Sequence, residues 1–229
     1  MRSHKKTARI AGFLYLGVAV CSGFAAVVRS SLIAPGDAAA TASNIIAGQL
    51  LFRSGIVCDL TGQAFHILLA LSLYELFNSV SKTGALILVV LALIPVPIAC
   101  INTLNQIAVL PLLISADYLK VFDPHQLQAQ AMLYLDLHNN GVLIAQVFWG
   151  LWLLPLGYMV LKSAYVPGVL GALLIVAGLG YLVDSLGGFL SATHDFNIAV
   201  FTFWGEVFFL LWLLIKGVHN DNPDPVEDC

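Results

Sequence analysis

Six stretches of about twenty or more predominantly apolar residues decide what this chain can fold into. They lie at about 10–28, 55–77, 84–114, 140–161, 167–190 and 197–217. A helix needs about 20 such residues to cross the hydrocarbon core of a bilayer. Only 10% of the 229 residues are charged and 59% are hydrophobic, against about 25% charged in a typical soluble domain. A water-soluble fold could not cover its surface with so few charges. A net charge of −3, with no basic patch beyond the N-terminus, also excludes nucleic-acid binding. The expected architecture is an all-α polytopic membrane protein with six transmembrane helices and the lipid bilayer as its partner.

The first stretch follows a basic flank of Arg2, Lys5, Lys6 and Arg9. Its apolar run exceeds the usual 7–15 residues of a signal peptide, and no small-x-small cleavage site ends it. It reads as a permanent span. Lys and Arg collect on the cytoplasmic side of membrane proteins. With the N-terminus inside, that side holds seven of them: Arg2, Lys5, Lys6, Arg9, Lys82, Lys162 and Lys216. The outer side holds Arg29, Arg53 and Lys120. Both termini are therefore expected in the cytoplasm. Residues 1–218 read as a single six-span domain and 219–229 as a disordered acidic tail.

The outer loops carry helix-start signals. Asp37 is placed to cap a short surface helix in the loop between spans 1 and 2. In the loop between spans 3 and 4, Asp123-Pro124-His125-Gln126 puts Asp at the N-cap, Pro at N1 and Gln at N3. A helix from Pro124 to Leu161 would be about 57 Å long at 1.5 Å per residue, more than the bilayer is thick. Its first part is expected to project outward or to lie along the surface. Cys21, Cys58, Cys100 and Cys229 form no CxxC pair and read as small hydrophobes.

The informative residues are the polar ones inside the spans, because an ionisable group in a bilayer is costly and faces the bundle interior. Asp59, Gln63 and His66 share one face of span 2. Span 3 carries Asn102, Asn105 and Gln106 just past the Pro95/Pro97 interruption. Span 4 opens with Asp136, His138, Asn139 and Asn140 and continues to Gln146. Span 5 holds Asp184 and span 6 holds Glu206. The topology puts most of these groups in the outer half, with His66 and Glu206 near the middle. Together they imply a polar cavity opening outward. Arg29 and Arg53 are assigned to the outer rim, which leaves few cations at the depth of Asp59, Asp184 and Glu206. At least one of these carboxylates is expected to be protonated or to hold a cation.

Simpler roles compete with that reading. Asn, Gln and His can act as interhelical glue, Pro95 and Pro97 can mark a plain kink, and Asp195 beside His194 can cap a helix. The glycines of span 5 suit close helix packing. Asp59, His66, Asp184 and Glu206, with His138, have the atom types of a zinc-like site, but no HExxH or HxxxH accompanies them. The residues therefore name no metal and no cofactor.

Several stretches are similar to a known family. These are Arg9-Ile10-Ala11-Gly12 with Tyr15-Leu16, Leu154-Pro155-Leu156-Gly157-Tyr158, Pro167-Gly168-Val169-Leu170-Gly171, Ala177-Gly178-Leu179-Gly180-Tyr181 with Asp184, and Gly205-Glu206 with Leu211 to Gly217. The chain resembles the bacterial multi-pass membrane family known as domain of unknown function 4386. The resemblance implies a protein of the bacterial cytoplasmic membrane and brings no activity or catalytic residues. The leading expectation is a protein that binds or transports a small ligand or cation, with proton coupling, through Asp59, Gln63, His66, Asn102, Gln106, His138, Gln146, Asp184 and Glu206. The alternatives are an intramembrane metal-assisted hydrolase acting on a lipid-like substrate, with Asp59, His66, Asp184 and Glu206 as ligands, and an accessory or assembly subunit. The sequence leaves open whether the protein is an enzyme, and its oligomeric state.

Overall fold

The computed structural model describes residues 4–163, 166–190 and 197–218. The 219–229 tail and the His194–Asp195 pair lie outside them. The described residues form helices and connecting turns, with no strand among them. In order the helices are α1 (His4–Leu32), α2 (Ala38–Ala47), α3 (Gln49–Phe77), α4 (Lys82–Leu93), α5 (Pro95–Leu113), α6 (Pro124–Lys162), α7 (Gly168–Leu190), α8 (Ala199–Thr202) and α9 (Trp204–Ile215), with a 3-10 turn at Asp117–Leu119. Among the described residues, five segments are long and apolar enough to cross a membrane: α1, α3, α4 together with α5 (Lys82–Leu113), α6 and α7.

The sixth apolar segment is shorter than expected. It covers Ala199–Ile215 and is interrupted at Phe203. The interruption is a tightening rather than an unwinding. Phe203 keeps helical dihedrals, and Glu206 N donates to Phe203 O at 2.9 Å across a three-residue turn. The proline pair behaves similarly. Ile94, between α4 and α5, also has helical dihedrals (φ −58°, ψ −45°), so Pro95 and Pro97 remove backbone donors without opening the chain.

Local signals explain the helix starts. Asp37 Oδ1 accepts from Ala40 N at 2.8 Å and caps α2. Asp123 Oδ1 accepts from His125 N at 2.8 Å, while Asp123 N donates back to Gln126 Oε1 at 3.2 Å, a reciprocal cap for α6. That helix runs 39 residues, to Lys162.

The chain divides into two compact units. The first comprises residues 1–16, 68–92 and 147–229. Its glycines set the helix spacing. A Cβ on Gly150 would lie 2.7 Å from Gly178 O, and one on Gly157 would lie 2.6 Å from Gly171 O, so α6 and α7 meet backbone to backbone. Gly12 of α1 approaches Leu214 N of α9 in the same way. Leu153, Leu156, Met159, Phe209 and Leu213 are fully buried here.

The second unit comprises residues 17–67 and 93–146. Its core gathers Val28, Ile45, Phe52, Val109, Leu127 and Leu135. Short α2 is held against it by Ile45 and by Thr41, whose hydroxyl bonds to both N and O of Ala34. In both units large apolar side chains remain on the outside. Val27, Ile101, Leu104, Val169 and Ile215 are all more than 60% exposed.

Candidate functional site

Four helices of the second unit bring polar side chains together. α3 supplies Asp59, α1 supplies Arg29, α5 supplies Asn102 and Gln106, and α6 supplies His138. Asn102 and Gln106 are four residues apart and so share one face of α5. Arg29 Nη1 and Asp59 Oδ2 form an ion pair at 2.6 Å, each side chain 20% exposed. This corrects the expectation that Asp59 has no cation within reach. α1 continues to Leu32, and the long arginine stem carries the guanidinium from its own backbone level to the carboxylate. Asp59 is therefore not a carboxylate without a cation.

Gln106 links the pair to the buried side of the cluster. Its amide nitrogen lies 3.0 Å from Asp59 Oδ2 and 3.0 Å from His138 Nε2. An amide NH2 has two hydrogens, one for each acceptor. The same amide nitrogen lies 3.3 Å from His138 Nδ1, which is itself 3.5 Å from Asn102 O, so the ring tautomer sets which nitrogen accepts from Gln106. Asn102 Nδ2 donates to His138 O at 2.9 Å, and its own Oδ1 accepts from Asn105 at 2.9 Å. Gln106, His138 and Asn102 are all buried. Gly141, one turn after His138, faces the Asn102 amide so closely that a Cβ there would overlap it.

Two acceptor oxygens on α3 stand out. Both donors to Asp59 reach Oδ2, while Oδ1 receives no hydrogen bond from a described residue. One turn along α3, Gln63 Oε1 is buried without a partner. His66, a further turn on, is buried, and Gln146 is half-buried. Asn139 and Asn140 are exposed, so His138 is the inward polar residue where α6 passes this cluster.

The two remaining carboxylates, in the first unit, are held differently. Asp184 is buried and accepts from Ile198 N at 2.9 Å and Ala199 N at 2.7 Å, capping α8. Glu206 accepts from the Tyr181 hydroxyl at 2.7 Å on Oε1 and from the Tyr15 hydroxyl on Oε2. No ion pair to Glu206 occurs among the described residues. Tyr15 in turn packs against Trp152 and Phe209, with ring centroids 6.0 and 6.4 Å apart.

Among the described residues, no three His, Cys, Asp or Glu side chains converge as metal ligands. Cys21, Cys58 and Cys100 are free thiols. Sequence reasoning missed Arg29 as a partner, Tyr15, and Gly141. Only Tyr15 left a trace, as part of the opening stretch shared with the family.

An uncharacterized protein of Archaeoglobus fulgidus is 43% identical to this chain over 74 residues. The aligned stretch covers 32% of this chain and 44% of that protein, so the chain spans less than half of its relative's length. No solved structure matches the chain. The family Domain of unknown function (DUF4386) matches residues 10–217, most of the chain. The chain belongs to the family of Domain of unknown function (DUF4386).

Proposed function

We propose that the protein is a six-span integral membrane protein of the bacterial cytoplasmic membrane that binds a cation or a small amine-bearing ligand at the Asp59 cluster, and that it moves this ligand with proton coupling. Residues 1–218 form one membrane domain in this reading, with both termini cytoplasmic by the Lys and Arg bias. The exposed valines, leucines and isoleucines on the long helices support a lipid surround. Ala199–Ile215, about 25 Å long at 1.5 Å per residue, serves as the sixth span in this reading.

The observation that carries the binding reading is the pair of open acceptors. Asp59 Oδ1 and Gln63 Oε1 lie one turn apart on α3, and neither has a donor among the described residues. Gln63 Oε1 is buried, and a buried acceptor left unmade costs about 1–3 kcal/mol; Asp59, 20% exposed, keeps its open oxygen within reach of an incoming ligand. A cation, an ammonium group or a hydronium ion supplies what both oxygens lack, and an anion does not. The Arg29 guanidinium and the Gln106 amide hold the other carboxylate oxygen and fix the direction of the open one. His138, linked to Asp59 through Gln106, is placed to respond when the charge on Asp59 changes.

The test uses the full chain in liposomes with a trapped pH-sensitive dye and imposed gradients of Na+, K+ or tetramethylammonium, which has no membrane-permeant neutral form. Wild type is expected to change the internal pH with at least one of these cations. Asp59→Asn is expected to abolish the change, and Gln63→Leu, which touches no ion pair, to reduce it about ten-fold. No response to any of the three from wild type, or an unchanged response from folded Asp59→Asn, contradicts the proposal.

A further inference from the structure

The first turns of α1 carry three cations above an apolar surface. Lys5, Lys6 and Arg9 line an open concavity of about 460 Å³ together with Ile10, Phe13 and Leu14. Spacings of three and four residues put Lys6, Arg9, Ile10, Phe13 and Leu14 on one helix face. None of the three cations forms an ion pair among the described residues. Phe13 is 62% exposed. The far end of α9 meets this one. Gly217, at φ +69°, approaches Lys5 so closely that a Cβ would sit 3.2 Å from Lys5 Cγ. Gly217 follows Lys216, which is exposed, so a fourth cation enters the same end of the unit.

The arrangement is graded along the helix axis. From Lys5 to Phe13 is eight residues, about 12 Å. Over that distance the face passes from cationic to aromatic and aliphatic. A phosphate alone would use the upper part and leave Phe13 and Ile10 without a partner. A zwitterionic lipid would satisfy the apolar part but brings no net negative charge to the three cations. We infer that this face of α1 binds an anionic phospholipid, its phosphate among Lys5, Lys6 and Arg9 and the start of an acyl chain against Ile10 and Phe13. Basic groups at a membrane edge attract such lipids, each contributing about a five-fold factor in affinity. The inference rests on the membrane part of the proposed function and not on cation binding at Asp59.

The full chain in a neutral maltoside detergent is titrated with phosphatidylglycerol or phosphatidylcholine, and lipid-bound species are counted by native mass spectrometry. Wild type is expected to bind phosphatidylglycerol at least ten-fold more tightly than phosphatidylcholine, with millimolar inorganic phosphate failing to displace it. The Lys5→Gln/Lys6→Gln/Arg9→Gln variant is expected to lose on the order of a hundred-fold. Lys6→Gln alone, the milder change should the triple variant not fold, is expected to lose about five-fold. Equal affinity for the two lipids, full displacement by phosphate, or unchanged affinity in these variants overturns the inference. So does the appearance of phosphatidylglycerol binding only after Asp221, Asp224, Glu227 and Asp228 are neutralised, which would assign the face to the chain's own acidic end. The titration involves no cation gradient, so its failure leaves the Asp59 reading standing, and failure of the flux assay leaves this one.

Discussion

Removing either member of the Arg29–Asp59 pair leaves the other charge partly buried with no opposite charge at hand. Breaking a fully buried pair in this way costs about 3–5 kcal/mol. With each side chain 20% exposed, water offsets part of that loss, and about 2–3 kcal/mol is expected for Arg29→Gln or Asp59→Asn alone. Gln106 remains near Asp59 in the first variant and supplies one hydrogen bond, which makes Arg29→Gln the milder of the two. The double variant carries neither charge, so it is expected to lose about as much as one single variant. The coupling energy is then about 2 kcal/mol, within the range for residues in direct contact. The assay is reversible unfolding of the four proteins in mixed micelles of maltoside and dodecyl sulfate, followed by circular dichroism. Effects that add to within about 0.5 kcal/mol would refute the pairing, because independent sites behave that way.

Other perturbations have equally definite outcomes. Gly141→Ala forces a methyl group into the Asn102 amide and is expected to cost about 1–3 kcal/mol through overpacking, read in the same micelles. Tyr15→Phe and Tyr181→Phe each remove a donor from Glu206; each is expected to cost about 1.5–3 kcal/mol if Glu206 is ionised, and Glu206→Gln should shrink the effect of both. Asp184→Ala removes the acceptor of two backbone N–H groups at the start of α8, that of Ala199 buried and that of Ile198 partly buried, and accelerated amide exchange at Ile198 and Ala199 is the expected signature, with unchanged exchange contradicting a capping role. Asp123→Ala removes the cap of α6 and is expected to cost about 1 kcal/mol.

The helix starts were legible in the sequence because their causes are local. Asp37 and the Asp123–Gln126 pair act on backbone within three residues of themselves. The close-packing glycines of α7 were legible for a related reason, since a missing Cβ means the same thing whichever helix approaches. The partners of the acids were not legible. Asp59, Asp184 and Glu206 look alike in sequence, three carboxylates in apolar surroundings, yet one pairs with an arginine thirty residues earlier, one caps a helix start and one sits between two tyrosines. Tyr15 lies 191 residues from Glu206, a separation that no spacing rule bridges. Asp184 reaches the start of α8 from the preceding helix, fourteen residues away, which no local spacing signals; the cap expected at Asp195 lies outside the described residues. At Pro95/Pro97 the plainer of the two readings fits, since Ile94 keeps helical dihedrals and the helical path continues.

The central claim is that the open oxygen of Asp59 takes a cation. Difference infrared spectroscopy of the full chain in lipid measures this directly, by following carboxylate bands as Na+, K+ or NH4+ replaces the bulky cation N-methyl-glucamine. The account predicts a shift of a carboxylate band in wild type that vanishes in Asp59→Asn and persists in Glu206→Gln. No shift with any of the three cations, or a shift that survives Asp59→Asn, contradicts it.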